Sequence, residues 1–505
     1  MNRYKDDILR YSFVSMSSII FIICLIGGAY WDYAYKLDIS KSNIYIFLLT
    51  CFIFGLILKM IFIFSNTIRK SLRINTTIWM VLIFIFFFIV QTLLIYSYYF
   101  RTGWDSFMVV EGAYTLSEHL PLPDGAINYF SYYPNNLFIT VLLSKIILLC
   151  KIIEIGDFSY FIILVLQGFL NVLTGFLVFN AIKKITQNIN LSVFGYVFYV
   201  LLVGLSPWTS IPYSDSIALI IPVLILYLYL GLEDRKLKYI RIVCISFLGV
   251  LGYMLKPQTT ILFISVIIIS ILYLKKLYFK ETIKNIFIGL LSILISFFLI
   301  NNFISDVNIK LDEESEMSYM HFIKMGLNNK TDGGYLWDDV NESKLSKYKN
   351  ERREENIEVI KERVREYGKI GLLKHQIKKT LNNYNDGTFA WSLEGNFYLE
   401  IYEKKNKIVN SIRNIYYESG SNNSIFKYIV QGAWLIILSI QPLTIFIKRK
   451  NMDNSMRVVL LSLIGLFIFE SIFEARARYL YTYVPIFIVS GMIGLNEFLN
   501  RMKKL

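Results

Sequence analysis

Histidine and cysteine are scarce in this chain, three of the one and four of the other among 505 residues. Cys24, Cys51, Cys150 and Cys244 all fall inside apolar runs, so none is placed to pair across a loop or to join a cysteine-type zinc cluster. His119, His321 and His375 have no partners at metal-ligand spacing, and each reads as structural. No Walker A, GxGxxG or HExxH pattern occurs, which leaves the chain without the usual sequence marks of nucleotide binding or zinc hydrolysis. Charge is sparse as well, 18% of residues against 55% hydrophobic, with a mean hydropathy of +0.49. A chain so apolar does not stay in water as a globular domain.

What is present in abundance is long hydrophobic runs. Stretches able to cross about 30 Å of hydrocarbon recur from Tyr11–Tyr30 to Tyr479–Asn496, about twelve of them, predicting an all-α polytopic membrane protein. The first run follows Arg3, Lys5 and Arg10, but bulky Tyr30-Trp31 follows its small residues, so a retained anchor is expected and not a cleaved signal. The net charge of +14 sits mostly in short loops, which points to a bilayer and away from nucleic acid.

Those loops set the expected topology. Placing Arg69, Lys70 and Arg73, then Lys183-Lys184, Arg235–Arg241, Lys275–Lys280 and Lys448–Lys450 on the cytoplasmic side allows one crossing between Phe100 and Lys183. Two apolar segments compete for it. Phe158–Asn180 is longer and free of charge, whereas Asn135–Ile153 carries Lys145 and Lys151, so the latter is expected to lie at the outer interface without crossing, opened by Pro134. Both termini then fall in the cytoplasm. The expected organisation is two accessory helices in 1–77, a membrane core in 78–301 with a first outer loop at 100–157, a mainly helical extracytoplasmic domain in 302–425, and C-terminal membrane helices in 426–505. Glu342–Leu381 has the mixed-charge spacing of a solvated helix, ending at the turn Asn385-Asp386-Gly387.

Chemistry is expected on the outer face. In the first outer loop Asp105 follows Trp104 just past a membrane helix, where an interfacial aromatic holds a carboxylate at the membrane surface, as a base or a metal-positioning group. Glu111 and Tyr133 lie further along and suit positioning of an acceptor or of the loop. Near the carboxyl end, FEARARYLYTYVP places Arg476 and Arg478 on the outer side against the positive-inside trend, where they could grip a phosphate; an i, i+4 pair of Glu474 with Arg478 is the structural alternative. Lys256 could help them or simply snorkel, and Asp215 could act at the site or cap a helix. Lys59 is the main charge inside a membrane run.

Taken in order, GWDSFMVVEGAY, YFSYYPNNLFITVLLSKI and RYLYTYVP resemble the GT-C superfamily of membrane glycosyltransferases, of the protein O-mannosyltransferase and aminoarabinose transferase type, over roughly 78–505. The segments HFIKMGLNNKTDGGY and NNYNDGTFAWSLEGNF look like those of Gram-positive members. The resemblance implies a polyprenyl-phosphate sugar as donor and an envelope glycan, teichoic acid, lipid or protein hydroxyl as acceptor. It further implies that Asp105 is the base or metal-positioning carboxylate and that Arg476 and Arg478, with Lys256, hold the donor phosphate; a divalent metal is left undecided. The chain has WDS where O-mannosyltransferases carry adjacent Asp and Glu, so their acceptor does not transfer. An O-antigen-type polymerase or ligase, with arginines dominating its large loop, and a lipid-linked glycan flippase, with charge at the membrane midplane, are the two alternatives.

Overall fold

A computed structural model of the chain describes residues 2–72, 76–273, 279–307, 309–395, 397–402 and 406–503. Arg73, Lys275, Lys276 and Lys504, which carry part of the expected charge pattern, lie outside them. The chain is about 80% helical, with ten candidate spanning helices among the described residues, so it is an all-α polytopic membrane protein. In lipid only a helix satisfies every backbone group within its own segment, which is why apolar runs of this length fold this way.

The order begins with α1 (Asn2–Ile22), prolonged through a π-helical turn at Ile23–Gly27, then α2 (Asn43–Leu72), α3 (Thr76–Tyr98) and a short strand β1 (Phe100–Thr102). Next come α4 (Trp104–Ser117), α5 (Asp124–Tyr132), α6 (Leu137–Ile152), α7 (Ser159–Thr186) and α8 (Ile189–Tyr199). The middle of the chain supplies α9 (Ser214–Tyr229, interrupted at Leu219), α10 (Lys238–Leu255), α11 (Ile261–Leu272) and α12 (Phe279–Ser305). In the long polar stretch lie α13 (Tyr319–Gly326), α14 (Trp337–Leu345), α15 (Lys349–Tyr384), β2 (Tyr398–Ile401) and α16 (Lys407–Tyr416), before α17 (Asn423–Ile440), α18 (Asn454–Ile472) and α19 (Val484–Met502). Polar caps open several of these helices: Asn188 accepts from the Asn190 and Leu191 amides and Asp453 from the Met456 amide, satisfying donors that the first turn leaves free.

Two ends of the bundle can be told apart by what meets there. At one, the start of α1 meets α18 through Asp6 and Arg457 (2.7 Å) and α11 through Lys5 and the Leu272 carbonyl (3.1 Å). At the other, the Tyr160 hydroxyl at the start of α7 donates to the Phe100 carbonyl just after α3 (2.7 Å). Pro134–Ile152 is long and apolar enough to cross a membrane, yet it runs along this second end. Asn136 at its start meets Tyr213 ahead of α9, Lys145 in its middle pairs with Asp306 just past the end of α12 (2.7 Å), and Lys151 near its close reaches Ser117 and Glu118 at the end of α4. A helix that spanned would put its middle half a bilayer away from the end of α12. Among the described residues that leaves nine other helices long and apolar enough to cross a membrane, with three shorter apolar ones at Ile189–Gly204, Ser214–Tyr229 and Pro257–Leu272.

The first two helices, expected as accessories, pack into the bundle, α1 along α18 and α17 and α2 along α17 and α8. The polar stretch is likewise no separate appendage. The last turns of α15 are buried, the Trp434 indole of α17 donates to the Tyr384 carbonyl (2.8 Å), and Asn43 at the head of α2 donates to Asn385 (2.6 Å). Lys59, expected as a charge inside the membrane bundle, is exposed on α2, whereas Glu470 in the last turn of α18 is buried. In a cysteine-free background, an impermeant thiol reagent added to intact cells should label a cysteine introduced at Lys347 and spare one at Lys184. Labelling at 184 with 347 spared would mean that α6 crosses, because one added crossing inverts every segment after it.

Candidate active site

Asp105 lies in the first turn of α4, and the backbone ahead of it is fixed by a two-stranded ladder. β1 and β2 pair antiparallel, Arg101 opposite Glu400, while the Thr102 hydroxyl and the Gly103 amide both donate to the Phe397 carbonyl (2.9 and 3.4 Å). Gly103 lets the Phe397 ring lie close against the turn, since a Cβ there would sit 2.2 Å from it and push it aside. Trp104 follows in left-handed backbone, φ 45°, a conformation uncommon for a bulky residue and concentrated where structure imposes it. The sharp turn presents Asp105 toward Tyr129 and Tyr213.

Those tyrosines are held by one asparagine. Asn136 donates from Nδ2 to the Tyr129 hydroxyl (2.6 Å) and accepts at Oδ1 from the Tyr213 hydroxyl (3.1 Å). Burial holds the Asp105 carboxyl above the usual aspartate range, although the Tyr129 hydroxyl and the nearby Arg478 favour its charge. A carboxylate raised in this way is a better proton acceptor than a solvated one.

Arg478 enters from the 3-10 turn Ala477–Tyr483 ahead of α19. Its guanidinium lies 4.7 Å from the Trp104 ring centre and 5.7 Å from that of Tyr213, and it pairs with Glu394 (2.9 Å) and Asp215 (3.6 Å). Arg476 takes the other oxygen of Glu394 (2.9 Å), reaches Glu474 (3.5 Å) and stacks 4.1 Å over Tyr35. Lys256, in the turn between α10 and α11, pairs with Asp215 and sits 5.1 Å over Tyr479. Burial works against the charge of Glu394, but Arg478 and Arg476 outweigh it and hold its carboxyl below the ordinary glutamate range; burial raises that of Glu474. Three cations thus meet four carboxylates, Asp105, Asp215, Glu394 and Glu474, within one cluster.

Six residues singled out from the sequence therefore converge. Asp105, Arg476, Arg478, Lys256 and Asp215 are in the cluster, and Tyr133 stands at its edge, its hydroxyl pushed upward by burial and by Asp105 and Tyr335. Glu111 does not join them. Two turns along α4 it pairs with Arg101, because six residues of helix carry it round to another face. Several structural alternatives also fall. Lys256 is only 6% exposed and does not snorkel, Asp215 caps nothing because Tyr213 is the N-cap of its helix, and Glu474 pairs with Arg476 where Arg478 was the expected partner. Trp104, expected as an interfacial anchor, stacks on Arg478. The histidines bind locally, His321 to Ser343 (2.9 Å) and His375 to Tyr367 and the Gly326 carbonyl (both 3.0 Å).

Glu394, Tyr129, Tyr213, Asn136 and Tyr35 are the members that the sequence did not single out. Glu394 lies within AWSLEGNF, a segment noted for resemblance but not for its carboxylate. Among the described residues no three His, Cys, Asp or Glu side chains converge as a metal would require, so no step is assigned to a metal. A family described as "conserved hypothetical integral membrane protein" matches residues 9–498. No curated protein and no solved structure matches the chain.

Proposed function

We propose that this chain, which belongs to the conserved hypothetical integral membrane protein family, is a membrane glycosyltransferase of the GT-C kind, moving a sugar from a polyprenyl-phosphate donor to a hydroxyl of an envelope glycan, lipid or protein. One observation carries the proposal: Asp105 and Arg478, far apart in sequence, face one another at one end of a membrane bundle. The end that bears them is taken as the extracytoplasmic one, since the lysine and arginine pairs of the short loops gather at the other.

In the reaction Asp105 takes the proton of the acceptor hydroxyl as its oxygen bonds to the anomeric carbon. The bond from that carbon to the phosphate oxygen breaks, its electron pair stays on the phosphate, and Arg476 and Arg478 stabilise the charge that develops there. Asn136 sets Tyr129 and Tyr213, which orient the base. Lys256 and Asp215, already paired with each other and leaning on Arg478, hold that guanidinium in place.

One feature weighs against each alternative. Arg352 and Arg363 of the long polar stretch are engaged in its own architecture, Arg352 donating to four backbone carbonyls and Arg363 pairing with Asp339 (2.6 Å), which leaves a polymerase fewer arginines there, and Lys59 faces outward from the bundle, where it lines no path for a flippase. Turnover of a synthetic polyprenyl-phosphate sugar by the purified protein tests the proposal. Formation of free polyprenyl phosphate in step with sugar transfer is the expected result, and no release from that donor with any envelope acceptor would refute it.

A further inference from the structure

The two arginines that would bind the donor are not free. Glu394 offers one carboxylate oxygen to Arg476 and the other to Arg478, each at 2.9 Å, the bridging arrangement that two oxygens of a phosphate would adopt. Both guanidiniums are thus already met by a carboxylate, and a phosphate bound beside Glu394 would crowd two anions onto the same pair of cations in a poorly solvated site. The phosphate and Glu394 compete for one seat.

Glu394 is the carboxylate built to leave. Asp215 is buried among helix ends and tied to Lys256, and Asp105 is held by the ladder ahead of α4. Glu394 instead rides a π-helical turn, Trp391–Gly395, whose Leu393 is 47% exposed. Just before it, Phe389 and Ala390 stand in consecutive left-handed conformations, φ 54° and 65°, which cost of order 1–3 kcal/mol each for residues with a Cβ. They are held there by Asp386, whose carboxylate accepts from the Thr388 and Ala390 amides (2.8 Å each), and by the Trp208 indole, which donates to the Phe389 carbonyl (3.0 Å). Local strain of this sort gathers at segments with a second arrangement available.

We propose that Glu394 occupies the seat of the donor phosphate in the resting protein, and that the donor binds by displacing it together with residues 392–394, the part of its turn that is not buried. The exchange is matched in charge: a sugar-linked prenyl phosphate is a phosphodiester bearing one negative charge, as Glu394 does, whereas a diphosphate bears more. Glu394 therefore sets a preference for singly charged lipid phosphates, and its return helps expel the prenyl phosphate product.

This inference rests on the donor proposal, and the experiment separates the two. Binding of a short-chain prenyl methyl phosphate, a phosphodiester with the single negative charge of the donor, to detergent-purified wild type, Glu394→Gln and Arg478→Lys is measured by tryptophan fluorescence, and hydrogen exchange is followed over residues 386–395. Glu394→Gln keeps the shape but removes the competing charge, so it should bind the probe roughly tenfold more tightly, as expected when a closed state limits affinity. In wild type the probe should speed exchange over 386–395, and Glu394→Asp, which keeps the charge, should stay near wild-type affinity. Binding that depends on Arg478 but is unchanged or weaker in Glu394→Gln, or that leaves exchange over 386–395 unaltered, overturns the displacement and leaves the donor proposal standing. Absence of binding to wild type and to Glu394→Gln alike overturns both.

Discussion

Asp105→Asn is expected to lower the rate of sugar transfer on the order of a hundredfold or more, the usual scale for losing a general base, while insertion and folding survive. Asparagine fills the same volume and can still accept from the Tyr129 hydroxyl, so the turn at Trp104 and the stack on Arg478 persist. What it cannot do is take a proton. Because burial raises the Asp105 carboxyl, the wild-type rate should fall on the acid side at a higher pH than an ordinary aspartate would give. Below that point the group is protonated and no longer a base, and the residual activity of Asp105→Asn should lack this limb. A pH profile of transfer by the two proteins checks both statements. Full activity of Asp105→Asn would remove the catalytic assignment.

The second large effect concerns stability. Asp215 faces both Lys256 and Arg478 and is almost wholly buried. Asp215→Ala should destabilise the protein by about 3–5 kcal/mol, the cost of leaving buried charge without its partner. Thermal unfolding in detergent reads this as a lowered midpoint. The double variant Asp215→Ala/Lys256→Met should recover much of the loss, since the stranded ammonium is gone, and non-additivity of this kind marks a direct pair. If the single variant unfolds like wild type, the carboxylate is not structural, and the role expected from the sequence, positioning of the acceptor or loop, returns.

Most of the cluster could be read from the sequence because its members break local rules. Arg476 and Arg478 are cations at a junction where the positive-inside trend disfavours them, Asp105 is a carboxylate at a helix end in an otherwise apolar setting, and Lys256 and Asp215 flank short turns between apolar runs. Glu394 breaks no such rule. It lies in a polar stretch rich in acids, and its importance comes from tertiary contacts with Arg476 and Arg478 that no local pattern encodes. Glu111 failed for the opposite reason: sparse charge drew attention to it, but the register of α4 turns it toward Arg101. The course of α6 was readable from charge parity because Lys145 and Lys151 are costly inside lipid, and the structure gives them partners at one end of the bundle, Asp306 and Glu118. The merging of the long polar stretch into the bundle was not readable, since the buried last turns of α15 carry Lys379, Asn382 and Asn383, residues that look solvated until their partners are known. Lys379 shows the consequence: burial brings its ammonium down to about 7, with its Nζ donating to the Gly326 carbonyl.

The account stands most directly on the donor. Purified wild-type protein should be offered, side by side, a polyprenyl-phosphate sugar and a polyprenyl-diphosphate glycan, with product prenyl phosphate and prenyl diphosphate quantified by mass spectrometry. Turnover of the first, lowered on the order of a hundredfold or more by Asp105→Asn, is the predicted result; turnover of the diphosphate donor with none of the monophosphate would contradict it and favour a polymerase.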